Sequence, residues 1–168
     1  THLPAVEPIY TYGDDSARLR AFVLQREWRA GPPVYSDINF ILLGIAIERL
    51  TGAPLDAWPL GPGLGYRPLG PAVATEACTW RGRMLKGEVH DENAWVMGGI
   101  AGHAGLFSTA ADLSRLAQLW LGEGRFRGRR LMQAGTVAQF RARQNRPEGS
   151  TRALGWDTPT LPGGFAGD

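Results

Sequence analysis

The first periodic run of apolar residues begins after residue 13 and predicts a helix. Residues 14–16 (Asp-Asp-Ser) are of the types that cap helix N-termini. Apolar side chains then recur at helical spacing, at Leu19, Phe22 and Val23. The pattern predicts a helix to about Arg29, ended by the glycine and two prolines at 31–33. Residues 1–13, which contain two prolines, are predicted to be looped or extended.

The segment from Asp37 to Leu50 is almost wholly apolar and predicts a second helix. After Asp37, its only charged residues are Glu48 and Arg49, near its end. One apolar stripe consists of Ile38, Ile41, Leu42 and Ile45. The stripe is widened by Phe40, Leu43 and Ile47. A helix with so broad an apolar surface is expected to be buried on most of its sides and to end at Gly52.

Two further helices are predicted in the second half of the chain. Ser108 and Asp112 have the spacing of a capping box variant. The clearest amphipathic pattern of the chain follows, at Leu113, Leu116, Ala117, Trp120 and Leu121. A shorter helix is predicted from about Gln133 to Arg143, with Val137 and Phe140 facing inward.

The remaining segments predict loops and a few short strands. Residues 59–71 contain four prolines and four glycines and predict a long loop. Residues 73–89 predict weak, short strands, and 125–130 a turn. Four glycines within 98–105 predict a close approach of backbone to a ligand or a helix. The polar tail from Pro147 has Trp156 and Phe165 as its large anchors. The expected fold is mainly α with long loops and a few short strands, in a single domain over 1–168.

Composition excludes several classes of protein. A hydrophobic fraction of 43% with six tryptophans predicts a packed globular chain. Cys78 is the only cysteine, so no intrachain disulfide can form, and a small core residue is expected there. No apolar run reaches about 18 residues, so no membrane span is predicted, and the first residues do not resemble a signal peptide. The compartment is left open.

The net charge of +2 is unevenly distributed. Nine basic and eleven acidic residues give −2 over residues 1–100, whereas nine and five give +4 over 101–168. The arginines of 125–130 could contact phosphates, but a solvated hairpin tip explains them more simply. We therefore expect no nucleic-acid partner.

Tyr35, Ser36 and Asp37 form a polar cluster at the mouth of the second predicted helix. A buried helix can hold a tyrosine hydroxyl rigidly over a cleft, which is the arrangement that proton transfer needs. The simpler interpretation is that Ser36 or Asp37 caps the helix. We expect capping in either case, so the hypothesis is that Tyr35 in addition transfers protons.

Four segments carry motifs of one enzyme family. They are Val34-Tyr-Ser-Asp-Ile-Asn, Gly87-Glu-Val-His-Asp-Glu-Asn-Ala, Gly102-His-Ala-Gly-Leu-Phe-Ser-Thr and Ala153-Leu-Gly-Trp-Asp. In this order they resemble the serine β-lactamase and penicillin-binding-protein superfamily, in particular its class C-like esterase and carboxypeptidase branch. The first resembles the Tyr-x-Asn element, and the third the Gly-Gly-Leu-x-Ser-Thr segment.

The resemblance implies a serine acyl-enzyme mechanism and assigns roles to individual residues. Tyr35 takes the position of the general base or proton relay. Asp37 takes a position usually held by asparagine; a carboxylate there accepts hydrogen bonds but cannot donate one unless protonated, which implies a shift away from β-lactams. Residues expected to line the substrate cleft are Ser36, His90, Gly102, His103 and Gly105. The implied substrate is a short acyl ester, a peptide or a β-lactam. We expect no cofactor and no metal.

Two of the three catalytic elements of that family are absent from this sequence. The only lysine is Lys86; Arg83 stands three residues before it and Gly87 follows it, so there is neither Ser-x-x-Lys nor Lys-Thr-Gly. The one His-x-Gly, at His103 to Gly105, precedes a helix rather than lying on a strand. The chain therefore resembles the middle, helical part of the α/β serine hydrolase fold, without most of the large sheet. We expect it to be inactive alone.

Other chemistry has weaker support. Ser108, His103 and Asp112 could form a catalytic triad. The sequence pattern around Ser108 and Asp112 is explained better by helix capping. His90, Asp91, Glu92 and His103 offer metal ligands without a metal-binding spacing. The glycines of 98–105 lack the Lys-Ser/Thr pair of a phosphate-binding loop. The alternative to a hydrolase is a non-catalytic helical binding or assembly domain, whose exposed apolar face is covered by a second copy or a complementing fragment.

Overall fold

The computed structural model describes residues 3, 8–29, 31, 34–58, 60–61 and 63–157. As predicted, the chain is mainly helical, with five α-helices and two small two-stranded sheets among these residues. The proline pair at 32–33, the tail beyond Asp157 with Phe165, and most of residues 1–7 lie outside the described residues. The chain divides into two compact units, Thr1–Thr109 and Ala110–Asp168. A single domain over 1–168 stays a prediction.

Helix α1, Ser16–Gln25, begins as predicted and ends early. The side chain of Asp15 accepts a hydrogen bond from the Arg18 N–H at 3.0 Å, which caps the helix. The predicted end near Arg29 is wrong, because Arg26 is extended. Trp28 follows, and its indole N–H donates to the Val23 carbonyl at 3.0 Å, which satisfies one of the carbonyls that the helix end leaves unpaired.

Helix α2, Asp37–Thr51, has two apolar faces, of which only one is buried. Ile38, Ile41 and Ile45 belong to the core. The expectation that α2 is buried on most of its sides is wrong. Phe40, Leu43 and Ile47 are exposed, and Leu50 is 87% exposed. Gly52 ends the helix in the left-handed region, at φ 69°. This exposed face of α2, defined by Phe40, Leu43, Ile47 and Leu50, is a continuous apolar surface.

The predicted capping of α2 by Ser36 is also wrong. Ser36 is in the N-cap position, but its side chain makes no capping hydrogen bond. Its carbonyl instead accepts from the Asn39 side-chain amide at 3.0 Å. The start of α2 is therefore fixed through the backbone of Ser36 and the side chain of Asn39.

The core of the first unit joins segments that are far apart in sequence. Ile9 is fully buried in a short 3-10 helix, Ile9–Tyr12, where a loop was predicted. The Tyr10 N–H donates to the buried Asn93 side chain at 3.1 Å. Asn93 lies in the five-residue helix α3, Glu92–Val96, which was not predicted. So short a helix has no periodic signal of its own and depends on tertiary contacts.

The loop at 98–105 lies directly against the backbone of α2. A Cβ on Gly102 would lie 2.0 Å from the Phe40 carbonyl oxygen, and a Cβ on Gly44 would lie 3.0 Å from the Gly102 Cα. Only glycine at both positions permits this approach. The predicted close approach of the glycine-rich segment is therefore made to a helix.

A β-hairpin completes the first unit. Strands β1, Ala74–Cys78, and β2, Arg83–Lys86, pair antiparallel with an irregularity between Ala74 and Ala77. The long loop before them shows no helix or strand in its described residues, apart from a backbone bridge between Gly65 and Phe107. Both observations agree with the weak strands and the loop predicted there.

The second unit contains helices α4, Ala110–Leu121, and α5, Ala134–Arg141, and a hairpin of β3, Arg125–Phe126, and β4, Arg129–Arg130. None of the residues of α4 is fully buried, although the amphipathic pattern is strong. The Trp120 ring packs on Trp156, with centroids 5.0 Å apart. Val137 is buried as predicted, but Phe140 is 40% exposed.

In the part of the chain described, every helix is too short or too polar to span a bilayer.

Replacing Gly102 with alanine tests the contact between the loop and α2. We expect Gly102→Ala to lower the free energy of unfolding by about 2 kcal/mol, because the new methyl group would meet backbone that cannot move aside. Gly70→Ala is the matched control, since a Cβ there meets nothing within 4 Å. Urea denaturation of the three proteins measures the difference. Equal midpoints for both variants would contradict the close approach.

Candidate functional site

Tyr35 lies at the N-terminal mouth of α2 with its side chain 54% exposed. Ser36, next to it, is only 2% exposed, and its hydroxyl has no hydrogen-bond partner among the described residues. Asp37 opens the helix and is half-buried. The three consecutive side chains occupy different environments, and Tyr35 is the most exposed of them.

Asp37 forms a compact group with Asp91 and His103. One carboxylate oxygen from each aspartate and a ring nitrogen of His103 all lie within 4.8 Å of one another. Asp37 comes from α2, Asp91 from the N-cap of α3 and His103 from the loop that lies on α2. The close contact between Gly102 and α2 places His103 beside Asp37, and we call these three residues the polar triplet.

Asp91 is the centre of the polar triplet. Its Oδ1 accepts a hydrogen bond from the Ala94 N–H at 2.7 Å and from His103 Nε2 at 2.8 Å. Burial raises the pKa of Asp91, but these hydrogen bonds and the attraction of His103 outweigh it, so the pKa lies below its ordinary value. Asp91 is therefore held as a carboxylate that both caps α3 and orients His103.

The His103 side chain is almost completely buried, at 1% exposure. Because Nε2 faces a carboxylate oxygen, this nitrogen is the donor, which fixes the ring orientation. The other ring nitrogen, Nδ1, has no hydrogen-bond partner within the described part of the chain. The His103 side chain is thus buried and oriented, and its lining of a substrate cleft stays a prediction.

Gly102 and Gly105 allow the loop to take this path. Gly105 has φ +115°, and a Cβ there would lie 2.4 Å from the Gly99 carbonyl oxygen. Side chains at these two positions would therefore clash with backbone. Both glycines shape the loop around His103, and their lining of a substrate cleft stays a prediction.

His90, the fifth predicted cleft residue, has its partner outside the polar triplet. Its Nε2 lies 3.2 Å from Glu76 Oε2 on β1. The hypothetical metal set of His90, Asp91, Glu92 and His103 is thus divided between two contacts. His90 pairs with Glu76, whereas His103 pairs with Asp91.

The side chains of the hypothetical Ser-His-Asp triad each have another partner. His103 pairs with Asp91, Asp112 pairs with Arg115, and the Ser108 hydroxyl donates to the Thr109 carbonyl at 3.4 Å. These contacts favour structural roles for Ser108 and Asp112.

A cleft of about 260 Å³ opens beside the glycine-rich loop. Its lining includes Tyr66, Trp95, Gly99 and Phe107, but not Tyr35 or the polar triplet. Burial is the largest of the effects that raise the pKa of Tyr66, and repulsion from Glu48 and Asp56 adds to it. The Tyr66 hydroxyl is therefore a neutral donor that could contact a ligand in this cleft.

From the sequence, Asp91 was considered only as a hypothetical metal ligand, and its pairing with His103 was not predicted. It lies in a segment that carries one of the family motifs, and its spacing to Ala94 is that of a helix cap. Its pairing with His103 depends on the fold of the loop and has no local signal. Tyr35 and the polar triplet together provide an accessible phenol, a carboxylate two residues further on, and a hydrogen-bonded Asp91–His103 pair.

Comparison with known proteins identifies relatives of this chain. The family model described as Beta-lactamase matches residues 8–167. Proteins named "Putative D-alanyl-D-alanine carboxypeptidase" from Salmonella gallinarum, Salmonella paratyphi B and Salmonella newport are 37% identical over 151 residues. Each match covers 73% of this chain and 34% of the relative, so the chain spans about a third of the length of these curated relatives.

Asp91→Asn tests the charge at the centre of the polar triplet. The asparagine oxygen can still cap α3, so the substitution removes mainly the charge that faces His103. We expect the free energy of unfolding to fall by about 1 kcal/mol at neutral pH. Because the folded pKa is lowered, this contribution is present above the ordinary aspartate pKa and is lost as the pH falls through the folded value.

Urea denaturation between neutral and acidic pH, with a chelator present, measures this effect. Asp56→Asn is the control, since Asp56 is an exposed carboxylate of the same unit. The wild type should lose stability in acid more steeply than Asp91→Asn. Parallel pH profiles for the two proteins would contradict the charged pair.

Proposed function

Because the chain belongs to the β-lactamase family, we propose that it is the helical part of a serine hydrolase of the esterase or carboxypeptidase type. In this proposal the hydrolase forms an acyl-enzyme, and Tyr35 carries a proton between the nucleophilic serine and the leaving group. The observation that carries the proposal is the position of Tyr35: exposed, at the start of a helix whose other face is fixed in the core.

The surroundings of Tyr35 suit a proton relay. The buried stripe of α2 holds the backbone on which Tyr35 is mounted, and the loop at 98–105 packs on the same helix. Asp37, two residues on, belongs to the polar triplet. A phenol on such a support loses little conformational freedom when it meets a substrate.

Asp37 bears on the choice of substrate. A carboxylate at this position accepts hydrogen bonds, so it suits a donor such as a peptide N–H. The relatives' name refers to D-alanyl-D-alanine, which is a peptide substrate. We therefore favour a peptide or short acyl ester over a β-lactam.

The nucleophile comes from outside this sequence in the proposed mechanism. Lys86, the only lysine, lies on β2 with its side chain exposed, and no serine stands three residues before it. A full acyl-enzyme cycle needs a Ser-x-x-Lys segment placed opposite Tyr35. This chain is accordingly inactive alone.

The alternative is a non-catalytic helical binding or assembly domain. The observation in its favour is the exposed face of α2, whose four apolar side chains would normally be covered. Under the hydrolase proposal, the rest of a longer protein covers this face. Under the alternative, a second copy or a complementing fragment covers it, and no acyl-enzyme forms in any longer protein that contains the chain.

Tyr35→Phe separates these proposals in a protein that joins this chain to a Ser-x-x-Lys segment. We expect acylation by a p-nitrophenyl ester to slow at least about a hundredfold, because the phenylalanine cannot transfer a proton. The burst of p-nitrophenol in stopped flow gives the rate, and urea denaturation checks the fold.

Tyr12→Phe provides the matched control, because Tyr12 is also about half exposed but packs on Phe22. It should acylate like the unmodified protein. An unchanged rate in Tyr35→Phe would disprove the proton-relay role, and the absence of any acyl-enzyme in the unmodified protein would favour the assembly domain.

A further inference from the structure

We propose that Glu76, Cys78, Glu92 and His90 form a binding site for a divalent transition metal, best suited to Zn²⁺. One carboxylate oxygen each of Glu76 and Glu92 and the Cys78 sulfur lie within 4.8 Å of one another. His90 Nε2 lies 3.2 Å from Glu76 Oε2. These four residues, the hairpin–helix cluster, are distinct from the polar triplet.

The secondary structure brings Glu76, Cys78 and Glu92 together, and His90 adjoins them through its contact with Glu76. Glu76 and Cys78 are two residues apart on β1, so they point to the same side of the hairpin. Glu92 lies in the first turn of α3, and His90 precedes it by two residues. The cluster therefore has two donors from the hairpin and two from the α3 end.

The types of donor indicate the metal. A thiolate, an imidazole and two carboxylates are the ligands found at zinc sites, whereas Ca²⁺ and Mg²⁺ prefer oxygen alone. Tetrahedral coordination needs donor atoms that lie closer together than 4.8 Å. Rotation of the glutamate side chains can bring their oxygens closer to the other donors. His90 is half exposed, so an ion can enter from the solvent side.

The neighbouring groups are compatible with a bound cation. The Arg81 N–H donates to Cys78 Sγ at 3.4 Å, as expected beside a metal-bound thiolate. The Arg81 guanidinium is occupied elsewhere, by the Val89 and His90 carbonyls at 2.8 Å each. It fixes the backbone of His90 and lies 3.5 Å from Glu88.

A metal here would have a structural effect on the proposed hydrolase site. His90 and Glu92 flank Asp91 in sequence, and Asp91 holds His103. An ion bound to both flanking residues and to β1 would tie the start of α3 to the hairpin. The proposed metal would thus hold the backbone on both sides of Asp91.

Cobalt titration of the full chain tests the site, because a Co²⁺–thiolate bond has a near-ultraviolet charge-transfer band. We expect one equivalent of Co²⁺ to produce this band in the chelator-treated chain, and Zn²⁺ to abolish it. Cys78→Ala should lose the band. His90→Gln and Glu92→Gln should retain the fold and weaken Co²⁺ binding at least about tenfold.

Glu88→Gln is the matched control, since Glu88 is a nearby carboxylate that pairs with Arg83 outside the cluster. It should bind Co²⁺ like the wild type. Far-ultraviolet circular dichroism confirms the fold of each variant. The absence of a charge-transfer band in the wild type, or a band that His90→Gln and Glu92→Gln leave unchanged, would overturn the proposed site. Neither result would bear on Tyr35, because acylation is not measured.

Discussion

The backbone contact between the glycine-rich loop and α2 determines the arrangement of the candidate site. Gly102 and Gly44 bring two backbones so close that a single methyl group at Gly102 would lie 2.0 Å from the Phe40 carbonyl oxygen. This contact carries His103 into the interior and places it beside Asp37 and Asp91.

The resulting site combines a supporting hydrogen-bonded group with an exposed tyrosine. Asp91 caps α3 and orients His103, so the polar triplet links the starts of two helices. Tyr35 projects from one of these starts into solvent. The same arrangement suits a family in which a tyrosine moves protons for a serine nucleophile, and the sequence contains the tyrosine without the serine–lysine pair. The face of α2 opposite its buried residues is apolar and exposed in the part of the chain that the structure describes.

Local signals predicted the long elements well. The periodicity of α2 and the glycine at its end were sufficient to place it within one residue, since each depends only on neighbouring residues. The predictions from sequence fail where tertiary contacts determine the local structure. Trp28 folds back and ends α1 early. Helix α3 is too short to have a period, and the Asp91–His103 pair joins residues whose proximity depends on Gly102. Burial of α2 was overestimated because its composition does not reveal which partner covers each face.

We propose that this chain holds the proton-transfer part of a serine hydrolase without its nucleophile. Intact-mass spectrometry after exposure to a fluorophosphonate, alongside a p-nitrophenyl acetate assay, tests it most directly. We predict no adduct and no turnover for the chain alone. A single adduct with turnover would contradict the claim and would show that the chain has a working serine, with Ser108 and Ser36 the first to examine.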